Sequence, residues 1–200
     1  MAKQRDAELP TEPRRYHDHR FGLDAVKLLP SHYFATQENV VLVTVLGSCV
    51  AVCLRDPLAK VGGMNHFMLP DGEDGLVGAP ARYGTNAMEL LINRMMKLGA
   101  RRSRLEAKVF GAAAVVAGIA SWRVGERNAE FVQHYLATEG IRVLAEDLRG
   151  QQGRKLYFFP ATGRVLVRRL KQLGNQTLFE RENAYSRALS KPRGGDVDLF

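Results

Sequence analysis

A single mixed α+β domain is what the sequence predicts. Short aliphatic runs outnumber helical periodicities, successive runs are joined by turn-forming residues suited to antiparallel pairing, and only two segments show helical spacing. The 200 residues are 46% hydrophobic and 25% charged, which excludes a disordered or collagen-like chain and suits one core. No Pro/Gly linker splits that core. Residues 21–173 therefore read as one folding unit, between a polar arm over 1–20 and a polar tail over 174–200, both expected to be mobile.

The elements follow in order. Residues 40–46 form a β-branched and aliphatic run ended by Gly47-Ser48, and 50–54 form a second, ended by Asp56-Pro57. After a turn at 56–59 the extended pattern resumes over 61–69 until Pro70, which makes a hairpin. From Tyr83, Ala87, Leu91, Met95 and Leu98 fall at helical spacing, with Met88 and Ile92 beside them and Gly99 as the stop. A strand is expected over 104–110, followed by a Gly/Ala run over 111–120 that reads as tight packing, the alternative being a wall or oxyanion-side loop near the cleft. A second helix is expected over 127–138, with Arg127-Asn128 at its start and Gly140 as its end. Strands 141–146, 156–159 and 165–170 complete the chain, the last two closing a hairpin around Pro160-Ala161-Thr162-Gly163.

Lys and Arg number 29 against 21 Asp and Glu, a balance of +8 that favours acidic partners. Basic side chains gather in two places, Arg94 to Lys108 and Arg149 to Lys171, either as a docking rim or as a solvated surface. Nucleic acid is not favoured, since no nucleic-acid-binding motif occurs. The uncharged stretch 109–122 falls short of the ~20 apolar residues a membrane span needs, and the N-terminus has no apolar run. With only Cys49 and Cys53, reduced thiols in the cytoplasm are expected.

The hairpin brings chemistry together. If its loop is the four residues 56–59, Arg55 faces Lys60 and Cys49 lies directly opposite His66. Opposed residues share a face, with Cβ atoms about 4.5–5.5 Å apart. A thiol has a pKa near 8.5 and an imidazolium beside it can lower that by several units, so this pair next to Gly47-Ser48 has the parts for acyl transfer through a thioester. The alternative is a cysteine that only packs and a histidine that is only satisfied. Cys49 and Cys53 on one continuous strand would stand about 13 Å apart, too far for a disulfide or a shared metal ion, and no fourth zinc ligand is evident.

The run from Leu46-Gly47-Ser48-Cys49 to Leu54-Arg55-Asp56, and then Gly62-Gly63-Met64-Asn65-His66-Phe67-Met68-Leu69-Pro70, resembles the CheD family of chemoreceptor glutamine deamidases. The likeness continues through Glu106-Ala107-Lys108-Val109-Phe110-Gly111, Gly125-Glu126-Arg127-Asn128 and Leu144-Ala145-Glu146-Asp147, over roughly 23–170. It implies a protein-glutamine deamidase that converts glutamines of methyl-accepting chemotaxis receptors to glutamate, releasing ammonia without metal or cofactor. Cys49 matches the family's nucleophile, His66 its base, and Thr44 the orienting threonine. Gly47, Ser48 and Asn65 fall on the substrate or oxyanion side. Thr44 stands one residue closer to Cys49 than the family pattern sets its threonine, so either a bulge at Gly47-Ser48 restores its direction or Asn65 or a backbone carbonyl orients His66. The resemblance also implies a layered α/β/β domain with mixed, largely antiparallel sheets, like the catalytic domain of cytotoxic necrotising factor toxins. A CheC-type phosphatase is an implied further partner. The rival readings are a non-catalytic binding module for receptors or CheC and, more weakly, a cysteine protease.

Overall fold

The structure is a computed structural model that describes residues 13–70, 78–115 and 119–170. Ten strands build two five-stranded sheets, and two helices cover one of them. The outer sheet holds β1 (Arg14–Asp18), β2 (Leu23–Lys27), β4 (Val41–Leu46), β9 (Arg154–Phe159) and β10 (Arg164–Arg169) in the order β1-β2-β4-β9-β10. The helix-backed sheet holds β3 (Tyr33–Thr36), β5 (Val50–Asp56), β6 (Val61–Asn65), β7 (Glu106–Gly111) and β8 (Arg142–Leu148) in the order β3-β6-β5-β7-β8. Among the described residues only β2 with β4 and β7 with β8 pair in parallel. The result is the expected layering of helices, sheet and sheet.

Strand alternation sorts the core into layers. Val50, Val52 and Leu54 of β5 point toward helices α1 (Ala79–Lys97) and α2 (Ile119–Thr138), where Met88, Leu91, Met95, Val132 and Leu136 meet them. Cys49, Ala51 and Cys53 point the other way, into a second core shared with Leu42, Leu46, Leu156 and Phe158 of the outer sheet. Each fully buried aliphatic side chain of these layers contributes roughly 1.5–3 kcal/mol. β5 is therefore buried on both faces, which is why it reads as an unbroken apolar run.

Several expected boundaries shift for identifiable reasons. Arg14–Asp18, read as arm, forms edge strand β1 against β2; its charged residues suit an edge whose other face meets water. Residues 1–12 and the 174–200 tail lie outside the described residues. Helix α1 begins at Ala79 because Pro80 occupies its first turn, where a missing N–H costs nothing. Helix α2 begins at Ile119 rather than 127, and Gly125 sits inside it: a Cβ there would stand 2.6 Å from the Ala112 carbonyl oxygen. That glycine marks close approach, not a break, and Asn128 is consequently an interior helical residue rather than a cap.

The hairpin register differs by two residues from the expected one. Arg55 pairs with Gly62 and Asp56 with Val61, so the loop is 57–60. Asp56 is the last rung, its carboxylate accepting the Leu58 and Ala59 N–H groups, and Lys60 turns the corner at φ +54°. The Val50–Phe67 bridge keeps the same register. Cys49 thus stands opposite Met68, and His66 opposite Ala51. The displacement is an even step, so Cys49 and His66 stay on one face as diagonal neighbours instead of a direct pair, still within reach of long side chains.

Much of the basic surface is spent internally. Arg104 pairs with Asp56, Arg102 with Glu89 and Glu139, Arg149 with Glu126, and buried Arg154 with Asp147. Arg164, Arg168 and Arg169 on β10 remain exposed.

Candidate active site

The site forms where the chain changes sheets. β4 ends at Leu46 in the outer sheet and β5 starts at Val50 in the helix-backed one, so Gly47, Ser48 and Cys49 make a corner between layers. Three successive carbonyls of that corner are gripped. Gly47 C=O accepts from the Ala113 N–H at 2.7 Å, Ser48 C=O from the Asn128 side-chain amide at 2.8 Å, and Cys49 C=O from the Ala112 N–H at 2.7 Å. The residues that reach these carbonyls demand unusual backbone: Gly111 has φ +117° and Ala112 φ +58°. A Cβ on Gly111 would stand 2.1 Å from the Cys49 oxygen, so only glycine fits. The first three residues of the Gly/Ala run, 111–113, thus clasp the corner, and 116–118 lie outside the described residues.

His66 is held from three sides. Its N–H donates to the His32 carbonyl at 2.9 Å and its carbonyl accepts from the Ser31 N–H at 2.8 Å, Ser31 being at φ +71°. Its side chain enters the space between the sheets, where Nδ1 lies 2.8 Å from Thr44 Oγ1. Thr44 donates to the Leu28 carbonyl at 2.9 Å. A hydroxyl has one proton, and once that proton is on Leu28 the oxygen accepts from Nδ1–H. Nε2 then carries the lone pair, and it is buried without a hydrogen-bond partner. Burial first, then neighbouring His32, pushes the His66 pKa down to about 3, against a smaller upward pull from the Leu28 carbonyl. The ring is a neutral imidazole at pH 7, as a general base must be.

The two cysteines differ. Cys49 is fully buried in the intersheet core at the corner. Cys53 sits four residues further along on the same face, and burial pushes its pKa far above the usual thiol value in spite of Lys108. It remains a protonated packing thiol. Both are free.

Of the other expected residues, Ser48 points its hydroxyl toward Met68, and its carbonyl joins the corner. Asn65 faces the helices instead of the intersheet space: it accepts the Val52 N–H at 3.0 Å and donates to the Ala87 carbonyl at 3.2 Å. These side-chain bonds of Asn65 lead away from the His66 ring, whereas Thr44 Oγ1 meets its Nδ1. Across the sheet-changing corner, strand alternation cannot be counted from Thr44 to Cys49. A cleft of about 250 Å³ opens beside His66, lined also by the predicted substrate-side Asn65 and by His32, Tyr33, Tyr83 and Asn86. Sequence reasoning missed Leu28, His32 and the grip of Asn128; only the Gly125-Glu126-Arg127-Asn128 block hinted at the last. Among the described residues no group of three or more His, Cys, Asp or Glu side chains could hold a metal ion.

With this geometry in view, the comparisons of sequence with known proteins agree on one family. The family model described as "CheD chemotactic sensory transduction" matches residues 68–169. A Dechloromonas aromatica protein named probable chemoreceptor glutamine deamidase CheD 1 is 57% identical over 188 residues, covering 93% of this chain and 94% of its own. A Shewanella oneidensis protein of the same name is 55% identical over 193 residues, covering 94% of each. A Laribacter hongkongensis protein named probable chemoreceptor glutamine deamidase CheD is 52% identical over 202 residues, covering 99% of this chain and 97% of its own. Among solved structures, a Neisseria meningitidis protein of family-model DUF152 aligns at TM-score 0.37 and 11% identity over 59% of this chain and 53% of its own, too distant to bear on function.

Proposed function

We infer that this chain, which belongs to the CheD family, is a chemoreceptor glutamine deamidase whose nucleophile is Cys49 and whose general base is His66. His66 Nε2 takes the thiol proton, and the sulfur attacks the carboxamide carbon of a receptor glutamine. As the tetrahedral intermediate collapses, the C–N bond breaks and the His66 proton leaves with the nitrogen as ammonia. Water, activated by the same imidazole, then adds to the thioester, releasing glutamate and restoring the thiol. Thr44 keeps Nδ1 protonated and the ring aimed. The observation that carries this reading is the Leu28–Thr44–His66 relay ending in a buried, unpartnered Nε2 on the face that Cys49 shares.

The substrate on this reading is the cytoplasmic bundle of a methyl-accepting receptor, which puts the enzyme in the cytoplasm. No described helix is long and apolar enough to cross a membrane. A CheC-type phosphatase is a further proposed partner, resting on the family resemblance alone. The deciding experiment measures ammonia release and the mass of a purified receptor cytoplasmic fragment. Wild type and Cys53→Ala should release ammonia and Cys49→Ala should not. Release that survives Cys49→Ala refutes the covalent mechanism, and binding without release by wild type favours the binding module.

A further inference from the structure

Asn128 is fully buried and lies inside α2, a position where asparagine is a poor helix former and an unsatisfied carboxamide would be costly. Its hydrogen bonds leave its own helix and reach two separate segments. Nδ2 donates to the Ser48 carbonyl at 2.8 Å, and Oδ1 accepts from the Leu69 N–H at 2.8 Å. Ser48 precedes Cys49, and Leu69 follows His66 by three residues. One side chain thus ties the segments of nucleophile and base to one rigid helix.

The Ser48 bond has a more specific effect. In a trans peptide the N–H points opposite to the C=O. Anchoring the Ser48 carbonyl therefore fixes the direction of the Cys49 N–H, which belongs to the same plane. The planes on either side, through the Gly47 and Cys49 carbonyls, are set by backbone N–H groups of Ala113 and Ala112; this one is set by a side chain. A donor fixed before reaction stabilises developing charge without reorganising.

We propose that Asn128 is a positioning residue that aims the Cys49 N–H at the substrate carboxamide oxygen as negative charge builds there. The inference rests on the reading of Cys49 as nucleophile. It is tested on the full chain with Asn128→Asp, Asn128→Ser and Asn128→Ala. Asn128→Asp keeps the acceptor for Leu69 and loses the donor to Ser48. Two rates are measured for each: ammonia release from a receptor cytoplasmic fragment, resolved into kcat and KM, and alkylation of Cys49 by iodoacetamide, located by peptide mass. Alkylation displaces iodide at a saturated carbon and builds no oxyanion, whereas deamidation does. In Asn128→Asp and Asn128→Ala, kcat should fall about 10²-fold. KM and alkylation should stay within about threefold of wild type. A kcat within threefold in Asn128→Asp overturns the proposal. So does alkylation that falls in step with kcat, which would put Asn128 behind the thiol and imidazole themselves. A series in which every variant fails to fold also overturns it, by making Asn128 a residue of stability. Wild type without ammonia release, or Cys49→Ala with it, refutes the underlying mechanism instead.

Discussion

The Thr44 hydroxyl of the outer sheet stands 2.8 Å from Nδ1 of His66, which leaves the end of β6 in the other sheet. The two residues share no strand pairing, so their meeting depends on how the sheets dock. Because Thr44 is 1% exposed and already donates to Leu28, its oxygen has one productive partner, and the imidazole orientation follows from it.

Thr44→Val keeps the shape and β-propensity of the side chain and removes the hydroxyl. Misaiming a base by about 1 Å costs roughly 10²-fold in rate. Steady-state deamidation should show that loss in kcat, and Thr44→Ser should recover most of it. Equal activity in Thr44→Val and wild type would show that the hydroxyl does not orient His66.

Gly111→Ala should cost about 3 kcal/mol through left-handed strain and the clash with the Cys49 carbonyl, and should abolish activity by moving the corner. Gly99→Ala is the comparison: φ is +97° but no atom lies within 4 Å of its Cβ. It should cost about 1 kcal/mol and leave turnover intact. Urea midpoints and activity read both.

Stability should depend on acid in two windows. The native state excludes a proton from His66 down to about pH 3, while the unfolded chain accepts one near 6.5. Stability therefore falls as pH drops through that interval, by up to about 1.4 kcal/mol per unit, and is unaffected above it. Burial alone would raise Asp56, but hydrogen bonds from Arg104 and from the N–H groups of Arg101, Ala59 and Leu58 bring it down from 3.8 to about 2. Its contribution is present above 3.8 and lost between 3.8 and about 2. Chemical denaturation against pH should lose the upper slope in His66→Gln and the lower one in Asp56→Asn.

Asn65→Ala leaves the Val52 N–H without its acceptor in a buried strand and should destabilise the fold by about 1–3 kcal/mol. Turnover per folded molecule should change less than tenfold, since this side chain faces α1. A loss as deep as that of Thr44→Val would return Asn65 to the catalytic machinery.

How much of this the sequence disclosed depends on whether a feature is local. The shared face of Cys49 and His66 was readable because parity survives a shift that moves the opposed partner by two residues. The helices were readable in their apolar spacing, and their starts were not, since Pro80 and Gly125 look like breaks until packing shows otherwise. The three N-terminal strands escaped notice: they are four or five residues long, and β1 is polar because it is an edge. Thr44 was legible as a candidate but not in its direction, because alternation cannot be counted across a change of sheet. Asn128 was misplaced because its partners are distant in sequence.

The split of the site between layers bears on when the enzyme comes alive during synthesis. The strand that carries Thr44 pairs with β9, which is made long after it. With Cys49 as nucleophile and Thr44 as the residue that aims its base, a nascent chain whose thiol is already made stays idle toward amides until β9 joins β4 and closes the sandwich.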